Sequence, residues 1–172
     1  MNFERIRYDR PRRQSQVTYL EMFRWEERAV DWPPDMRVDR VPELTAHDYR
    51  LLYNRVGADH EWTDRNRIAD EDLLERISGD QIVIHVLRDD GKVAGYSEVR
   101  LSLPDEVELV YFGLVPEYRG RGLGKRFLAW TLNFAWSHGP ARVWLHTCDR
   151  DHQAAIPNYE QAGFRVFDRR WE

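Results

Sequence analysis

A glycine-rich, basic segment lies near the middle of the chain, at residues 115–125. An apolar run over residues 107–115 leads into it, and apolar residues at helical spacing follow it. This order predicts a strand, a tight turn and a helix start, where backbone N–H groups are free and the helix dipole is positive. Gly120, Gly122 and Gly124 carry no side chain that would hold a ligand away from the backbone. The segment therefore predicts a cradle for a diphosphate.

The spacing of the segment differs from two common phosphate-binding loops. A P-loop requires Gly-Lys followed by Ser or Thr, whereas Lys125 is followed by Arg126. A dinucleotide fingerprint requires Gly-x-Gly-x-x-Gly, whereas the spacing here is Gly-x-Gly-x-Gly. A glycine turn whose basic side chains simply face water remains the structural alternative.

The segment matches the pattern Arg/Gln-x-x-Gly-x-Gly/Ala at Arg119, Gly122 and Gly124. With the preceding Val-Pro-Glu-Tyr it resembles the acyl-coenzyme A loop of the GNAT superfamily of N-acetyltransferases. A second segment, residues 152–164, is similar to the family pattern Asn-x-x-Ala-x-x-x-Tyr-x-x-x-Gly-Phe. It departs from that pattern at His152, where the family often has an asparagine that contacts the cofactor. Two motifs in the expected order are more specific than either motif alone.

The resemblance implies an N-acyltransferase that moves an acetyl group from acetyl-CoA to a primary amine, on a small molecule or a peptide, by direct attack on the thioester. It covers residues of about 37–172. No metal is implied, and no His, Cys or Asp spacing indicates a metal site. The residues expected to hold the coenzyme are Leu114, Val115, Arg119, Gly120, Arg121, Gly122, Leu123, Gly124, Lys125, His152 and Ala155.

Tyr159 is the expected proton donor to the leaving thiolate, because the matching family tyrosine lies beside the coenzyme sulfur and a phenol is protonated at neutral pH. Glu108 is the leading candidate for the base, since it lies sixteen residues before Gly124, as in the histone-acetylating branch of the family. Strand alternation places Glu108 on one face with Val110 and Phe112, an apolar setting that would raise its pKa. The structural alternative for Tyr159 is a role in packing only, and the alternative for Glu108 is a carboxylate that points to water.

Five further residues are candidates for contact with the acceptor. His60, Glu61 and Trp62 lie in a polar connection that overhangs the acceptor pocket in the family, although Trp62 could equally cap the core. Glu98 and His146 are further candidates on the strands. Together with His60 and Glu61 they are also the alternatives to Glu108 as the base, and the resemblance equally allows a water chain in place of a direct base.

The predicted elements form an α/β fold with a mixed, mostly antiparallel sheet flanked by helices. Turn and capping signals predict strands at 16–23, 37–41, 81–87, 93–103, 106–115, 142–148 and 164–171, and helices at 45–57, 70–77, 123–138 and 152–162. The strands before and after the long helix can pair in parallel, and the resemblance implies that they splay apart at the coenzyme site. Pro157 is expected to disturb the last helix.

We expect one domain over residues 37–172 and an N-terminal extension over residues 1–36, made of an arm and an extra strand. The chain has 172 residues, a formal net charge of −4 and a pI of about 5.9, which argue against whole-surface nucleic-acid binding. No apolar run is long enough to span a membrane. One cysteine and the lack of a secretory signal indicate the cytoplasm.

Two other functions remain open. The same fold could serve as a non-catalytic acyl-CoA sensor or partner-binding domain. The arginine-rich first 13 residues could bind nucleic acid, although mixed charges there more often face solvent. The sequence does not fix the oligomeric state, and a homodimer is one option.

Overall fold

The computed structural model describes residues 14–172, so the predicted N-terminal arm lies outside the described range. In chain order the described strands and α-helices are β1 (Gln16–Met22), β2 (Met36–Arg40), α1 (Ala46–Gly57), α2 (Asp70–Ile77), β3 (Ile82–Asp89), β4 (Lys92–Ser102), β5 (Glu106–Leu114), α3 (Leu123–Ser137), β6 (Arg142–Cys148), α4 (Ala155–Ala162) and β7 (Arg165–Trp171).

The strands form a single sheet in the order β2-β3-β4-β5-β6-β1-β7. Only β5 and β6 pair in parallel, and the other five neighbouring pairs are antiparallel. The crossover between the parallel strands is α3, as parallel pairing requires. The predicted α/β class with a mixed, mostly antiparallel sheet is therefore confirmed.

Helices cover both faces of the sheet. Helices α1 and α2 pack on β3 and β4, where Tyr49 and Leu73 contact a cluster that includes Val86. Helix α3 packs on the opposite face, where Leu128 and Leu132 belong to the cluster of the central strands. This arrangement follows from the apolar stripes of the helices, and it leaves the two helix layers on opposite sides of the parallel pair.

Strand β1 lies inside the sheet, with β6 on one side and β7 on the other. Its side chains Leu20 and Met22 are buried in the core. At its start, the backbone N–H and C=O of Ser15 both bond to the backbone of Glu172, which ties the two ends of the described chain together. The first strand is therefore an integral part of the same sheet as the predicted domain.

The parallel pairing between β5 and β6 covers only part of each strand. It runs from Glu106 opposite Arg142 to Leu109 opposite Leu145 and then stops. At that point β5 contains a bulge, since Glu98 on β4 faces Tyr111 but the next pair joins Val99 to Leu109. A bulge bends its strand and ends regular pairing. The expected splay of the parallel strands is thus present, and it opens the sheet between β5 and β6.

The last helix differs from its prediction at its N-terminus. Helix α4 begins at Ala155, so Pro157 is its third residue and lies in the first turn. N–H groups in a first turn have no partner within the helix, so a proline there removes no hydrogen bond. The expected disturbance by Pro157 is therefore wrong. Within residues 14–172, the structure contains no helix with the length and apolar character needed to cross a membrane.

Candidate active site

A cleft of about 1020 Å³ occupies the opening between β5 and β6. Its walls come from the ends of these two strands, the glycine segment before α3, the connection between α1 and α2, and the start of α4. Both motif segments and the connection between α1 and α2, which the sequence singled out for chemistry, therefore meet at this cleft, although individual residues differ in how they face it.

The glycine segment forms one end of the cleft. Gly120 and Gly122 adopt positive φ angles of 76° and 74°, which side chains other than glycine rarely adopt. Gly122 is the N-cap of α3 and offers no side-chain cap. A Cβ added at Gly120 or Gly122 would meet no atom of the chain within 4 Å, so the space beside the loop is open. The free N–H groups of the α3 N-terminus lie at this end, where a diphosphate would fit.

The charged residues of the glycine segment have different positions. Lys125 lines the cleft. The guanidinium of Arg119 lines it too, but donates hydrogen bonds to the carbonyls of Leu114 (3.2 Å) and Val56 (3.1 Å) and to the carboxylate of Asp59 (3.0 Å). It therefore braces the loop against β5 and the end of α1.

Three residues expected to hold the coenzyme do not line this cleft. Arg121 turns away, with its guanidinium 5.4 Å from the Tyr118 ring centre. Val115 and Leu123 are buried in the core. Leu114, Gly120, Gly122 and Gly124 do line the cleft.

The start of α4 contributes to the opposite wall, through His152, Ala155 and Tyr159. The imidazole Nδ1 of His152 accepts a hydrogen bond from the backbone N–H of Ala154 (3.1 Å), just before the helix begins. The ring of Tyr159 packs edge-on against Phe164 (5.8 Å). Burial, followed by the negative charge of Asp151, raises the pKa of Tyr159 above its usual value, so the phenol stays protonated at neutral pH.

The connection between α1 and α2 forms the wall that carries His60, Glu61 and Trp62, and all three line the cleft. The indole of Trp62 lies so close to Gly57 that a Cβ there would be 2.3 Å from the ring. This contact explains why α1 ends on a glycine with an ordinary negative φ. The indole also lies near the rings of His60 (6.0 Å), Tyr53 (5.6 Å) and Tyr111 (5.0 Å).

Asp151 is a cleft residue that sequence reasoning missed. Its carboxylate accepts hydrogen bonds from the indole Nε1 of Trp62 (2.9 Å), from the hydroxyl of Thr147 (2.5 Å) and from the backbone N–H of Cys148 (3.0 Å). It thereby joins the α1–α2 connection to the end of β6. The aromatic Trp62 and an acidic turn after a strand were both visible in the sequence, but their pairing spans 89 positions.

Tyr53 and Tyr111 also line the cleft and were not predicted. The bulge in β5 explains the omission for Tyr111. Without a bulge, alternation would place Tyr111 on the face opposite Glu108. The extra residue brings both onto the same face, since Tyr111 faces Glu98 and Glu108 faces Arg100 on β4.

Alternation predicted that Glu108 and Phe112 lie on the same face of β5, but the structure places them on opposite faces. That expectation is wrong because of the bulge at Val110. Glu108 is 7% exposed and its carboxylate accepts a hydrogen bond from Arg100 (2.7 Å). Burial raises the pKa of Glu108, while the positive charges of Arg100 and His146 oppose this shift. Glu108 lies next to Leu109, which lines the cleft, but does not itself line it.

The remaining two candidates differ in their access to the cleft. His146 lines it from β6, with its ring 5.7 Å from that of Tyr19. Glu98 is fully buried below the cleft, where its carboxylate accepts hydrogen bonds from Tyr49 (2.5 Å) and Arg65 (2.8 Å). Among residues 14–172, no group of three or more His, Cys, Asp or Glu side chains is arranged to hold a metal ion.

Comparison with known proteins identifies a matching family. The model of the Acetyltransferase (GNAT) family matches residues 38–164. Mycothiol acetyltransferase of Corynebacterium glutamicum (strain R) is 34% identical over 80 residues, which are 46% of this chain and 27% of that protein. Mycothiol acetyltransferase of Clavibacter michiganensis is 29% identical over 124 residues, 70% of this chain and 39% of that protein. The chain thus spans well under half the length of these relatives.

Among solved structures, a GCN5-related N-acetyltransferase from Sphaerobacter thermophilus is similar with a TM-score of 0.68 and 18% identity. The alignment covers 92% of this chain and 50% of that chain. At this level of identity the similarity establishes a shared fold.

Proposed function

Because the chain belongs to the Acetyltransferase (GNAT) family, we propose that it transfers the acetyl group of acetyl-CoA to a primary amine. The observation that supports this most strongly is the cleft itself. It joins a glycine-lined helix N-terminus at one end to a wall of aromatic and charged side chains at the other. One end suits a diphosphate and the other suits an acceptor, as a transfer between two bound substrates requires.

The coenzyme is proposed to enter along the opening between β5 and β6. Its diphosphate would bind the free N–H groups at the start of α3, aided by the charge of Lys125. The bulge and the splay leave backbone groups of β5 after Leu109 without partners on β6. Such groups could hold the pantetheine chain and polarise the thioester carbonyl. The thioester supplies the acetyl group.

Two proton movements are needed. A primary amine has a pKa near 10.4, so presenting it uncharged at pH 7 costs roughly 4–5 kcal/mol unless the site assists. The thiolate that leaves is stabilised by a proton donor. We propose that Tyr159 supplies this proton, since its phenol lines the cleft and its raised pKa keeps it protonated.

The proton acceptor for the amine is proposed to be Glu108, acting indirectly. The carboxylate of Glu108 is paired with Arg100, and Glu108 does not line the cleft. His146 does line the cleft, and its charge lowers the pKa of Glu108. We place the proton route from the amine past His146 to Glu108, because His146 lies on β6 two residues beyond Trp144, the strand partner of Glu108. The raised pKa of Glu108 favours this role, because a stronger base accepts a proton more readily.

The experiment that tests the proposal measures thiol release from acetyl-CoA with a panel of primary amines, including small amines, amino acids, aminoglycosides and peptides. Release that depends on the amine is expected, together with binding of CoA by calorimetry. CoA binding without turnover on any amine would favour a non-catalytic acyl-CoA-binding domain. No CoA binding at all would overturn the proposal.

A further inference from the structure

The wall of the cleft that faces the acceptor is an irregular segment. Between α1 and α2 it contains two short 3-10 turns, 58–60 and 64–66, and a left-handed residue at Glu61 (φ 54°). Six residues of this segment line the cleft: His60, Glu61, Trp62, Thr63, Asp64 and Arg67. The backbone hydrogen bonds of the segment are local turns, and Arg50 on α1 donates to the carbonyls of Arg65 and Ile68. Side-chain anchors add to these bonds in keeping one conformation.

Arg65 belongs to the same segment, but its side chain points into the protein core and not into the cleft. It is 5% exposed, while most of its neighbours in the segment face solvent or the cleft. Its guanidinium passes the rings of Tyr49 (5.9 Å) and Tyr111 (5.3 Å) and donates a hydrogen bond to Glu98 (2.8 Å), which is 0% exposed. The segment is thus fastened to the middle of β4.

This ion pair is poorly suited to a role in stability alone. Burial raises the pKa of Glu98, and the charge of Arg65 only partly opposes that effect. The Nε atom of Arg65 has no hydrogen-bond partner among the described residues. Buried ion pairs often stabilise a fold no better than apolar side chains of similar size. Such pairs do fix the relative orientation of the two side chains, because charge-assisted hydrogen bonds favour one geometry.

The same pair is connected to the cleft through two aromatic side chains. Tyr111 contacts Arg65 and also lies 5.0 Å from the ring of Trp62, which in turn bonds to Asp151. A displacement of Arg65 would therefore move the aromatic surface that the acceptor meets. Arg119 fastens the glycine segment to the carbonyls of Leu114 on β5 and Val56 on α1, besides its bond to Asp59 in the first turn of the wall. The two bonds to β5 and α1 would keep the glycine segment in position.

We propose that Arg65 and Glu98 are positioning residues that fix the acceptor wall of the cleft and thereby set the affinity for the acceptor amine without affecting the coenzyme. The proposal rests on the proposed function and names the part of the site that governs acceptor binding. Glu98 was expected from sequence to contact the substrate; this assignment gives it an indirect role instead.

The test uses the double variant Arg65→Met/Glu98→Leu, which removes both charges and so leaves no unpaired buried charge. We expect the KM for the acceptor to rise by about tenfold, a loss of ~1.4 kcal/mol in binding. The Kd for CoA should stay close to wild type, whereas the melting temperature should fall by a few degrees, because the buried hydroxyl of Tyr49 loses its acceptor. Amide hydrogen exchange of residues 60–67 should become faster by a similar factor.

The control is Arg37→Gln/Asp39→Asn, which removes an ion pair (3.0 Å) on β2 that does not line the cleft. It should change none of these quantities. An unchanged acceptor KM, or unchanged exchange of residues 60–67, in the double variant would overturn the proposal. If the wild type acetylates no amine, the proposed function fails, and the exchange measurement alone decides whether Arg65 and Glu98 hold the wall.

Discussion

The indole Nε1 of Trp62 donates a hydrogen bond to the carboxylate of Asp151, 2.9 Å away, and so joins two walls of the cleft that are far apart in the chain. Asp151 is held in turn by Thr147 and by the backbone of Cys148 at the end of β6. The bond crosses from the α1–α2 connection to the far side of the opened sheet.

Replacing Trp62 by Phe should test this bridge. The smaller ring keeps much of the contact with Gly57 but removes the hydrogen-bond donor, which leaves Asp151 with one partner fewer. A hydrogen bond contributes about 1 kcal/mol, so kcat/KM for the acceptor should fall by roughly fivefold, while the Kd for CoA stays unchanged. Steady-state kinetics and calorimetry provide the measurements. Trp171→Phe is the matched control, because Trp171 is exposed on β7; an equal effect there would contradict the role of the bridge.

Replacing Gly122 by Val should weaken coenzyme binding. The new side chain would enter the open space beside the loop, where the diphosphate is proposed to bind, and the Kd for CoA should rise by at least about tenfold. Because Gly122 has φ 74°, the change also costs about 1–2 kcal/mol in backbone strain.

Gly139→Val separates these two effects. Gly139 has φ 66° and equally open surroundings, yet it does not line the cleft. The control should lose similar stability in urea unfolding but bind CoA like wild type. Equal CoA binding by both variants would exclude the glycine segment as the diphosphate site.

Replacing Tyr159 by Phe should lower kcat by about a hundredfold or more, the usual contribution of a general acid, with little change in the Kd for CoA. Because burial and Asp151 raise the pKa of Tyr159, the wild type should lose no activity through ionisation of this phenol up to a pH of about 10. A pH–rate profile provides this measurement. Tyr118→Phe is the control, since its hydroxyl bonds to Asp89 away from the cleft. Full activity of the Tyr159 variant would exclude Tyr159 as the proton donor and indicate a role in packing only.

His85 should make the fold less stable in mild acid. Its ring packs against Trp130 (4.8 Å) and Phe134 (4.5 Å), and burial, reinforced by the charge of Arg40, lowers its pKa to about 4. An unfolded histidine has a pKa of about 6.5, so between these values the unfolded chain binds a proton that the folded chain does not. The free energy of unfolding should therefore fall by roughly 3 kcal/mol as the pH drops from about 6.5 to about 4.

Urea unfolding at several pH values would measure this loss. His85→Phe should remove most of the pH dependence in that window, because the new ring cannot be protonated. The exposed His47, changed to Gln, is the control and should keep the dependence of the wild type. Because the raised pKa values of Glu98 and Glu108 act with the opposite sign, the decisive quantity is the difference between the wild type and His85→Phe. A difference that stays constant between pH 6.5 and 4 would show that His85 is not held neutral.

Local patterns predicted most of the fold. The cap at Thr45, whose hydroxyl accepts from the N–H of Asp48 (3.0 Å), and the glycine turn before α3 are decided by neighbouring residues, and both are where the sequence placed them. The parallel pair around a crossover helix follows from chain order. These features depend on residues a few positions apart.

The site was less predictable because its geometry depends on residues distant in sequence. The bulge at Val110 arises from the pairing of β5 with β4. Residues before the bulge therefore point to the face opposite to the one that regular alternation with the residues after it predicts. Alternation therefore placed Glu108 with the wrong neighbours. Asp151 and Arg65 act through partners 89 and 33 positions away, which no local pattern records.

The interior position of β1 has a consequence for biosynthesis. This strand leaves the ribosome long before β6 and β7, the two strands that flank it in the finished sheet. Until they emerge, both of its edges and the apolar side chains Leu20 and Met22 lack their partners, which is the state in which strands join other chains. While the residues between β1 and β6 are being synthesised, β1 is therefore exposed without either of its neighbours, and this exposure favours association with other chains until the sheet closes around it.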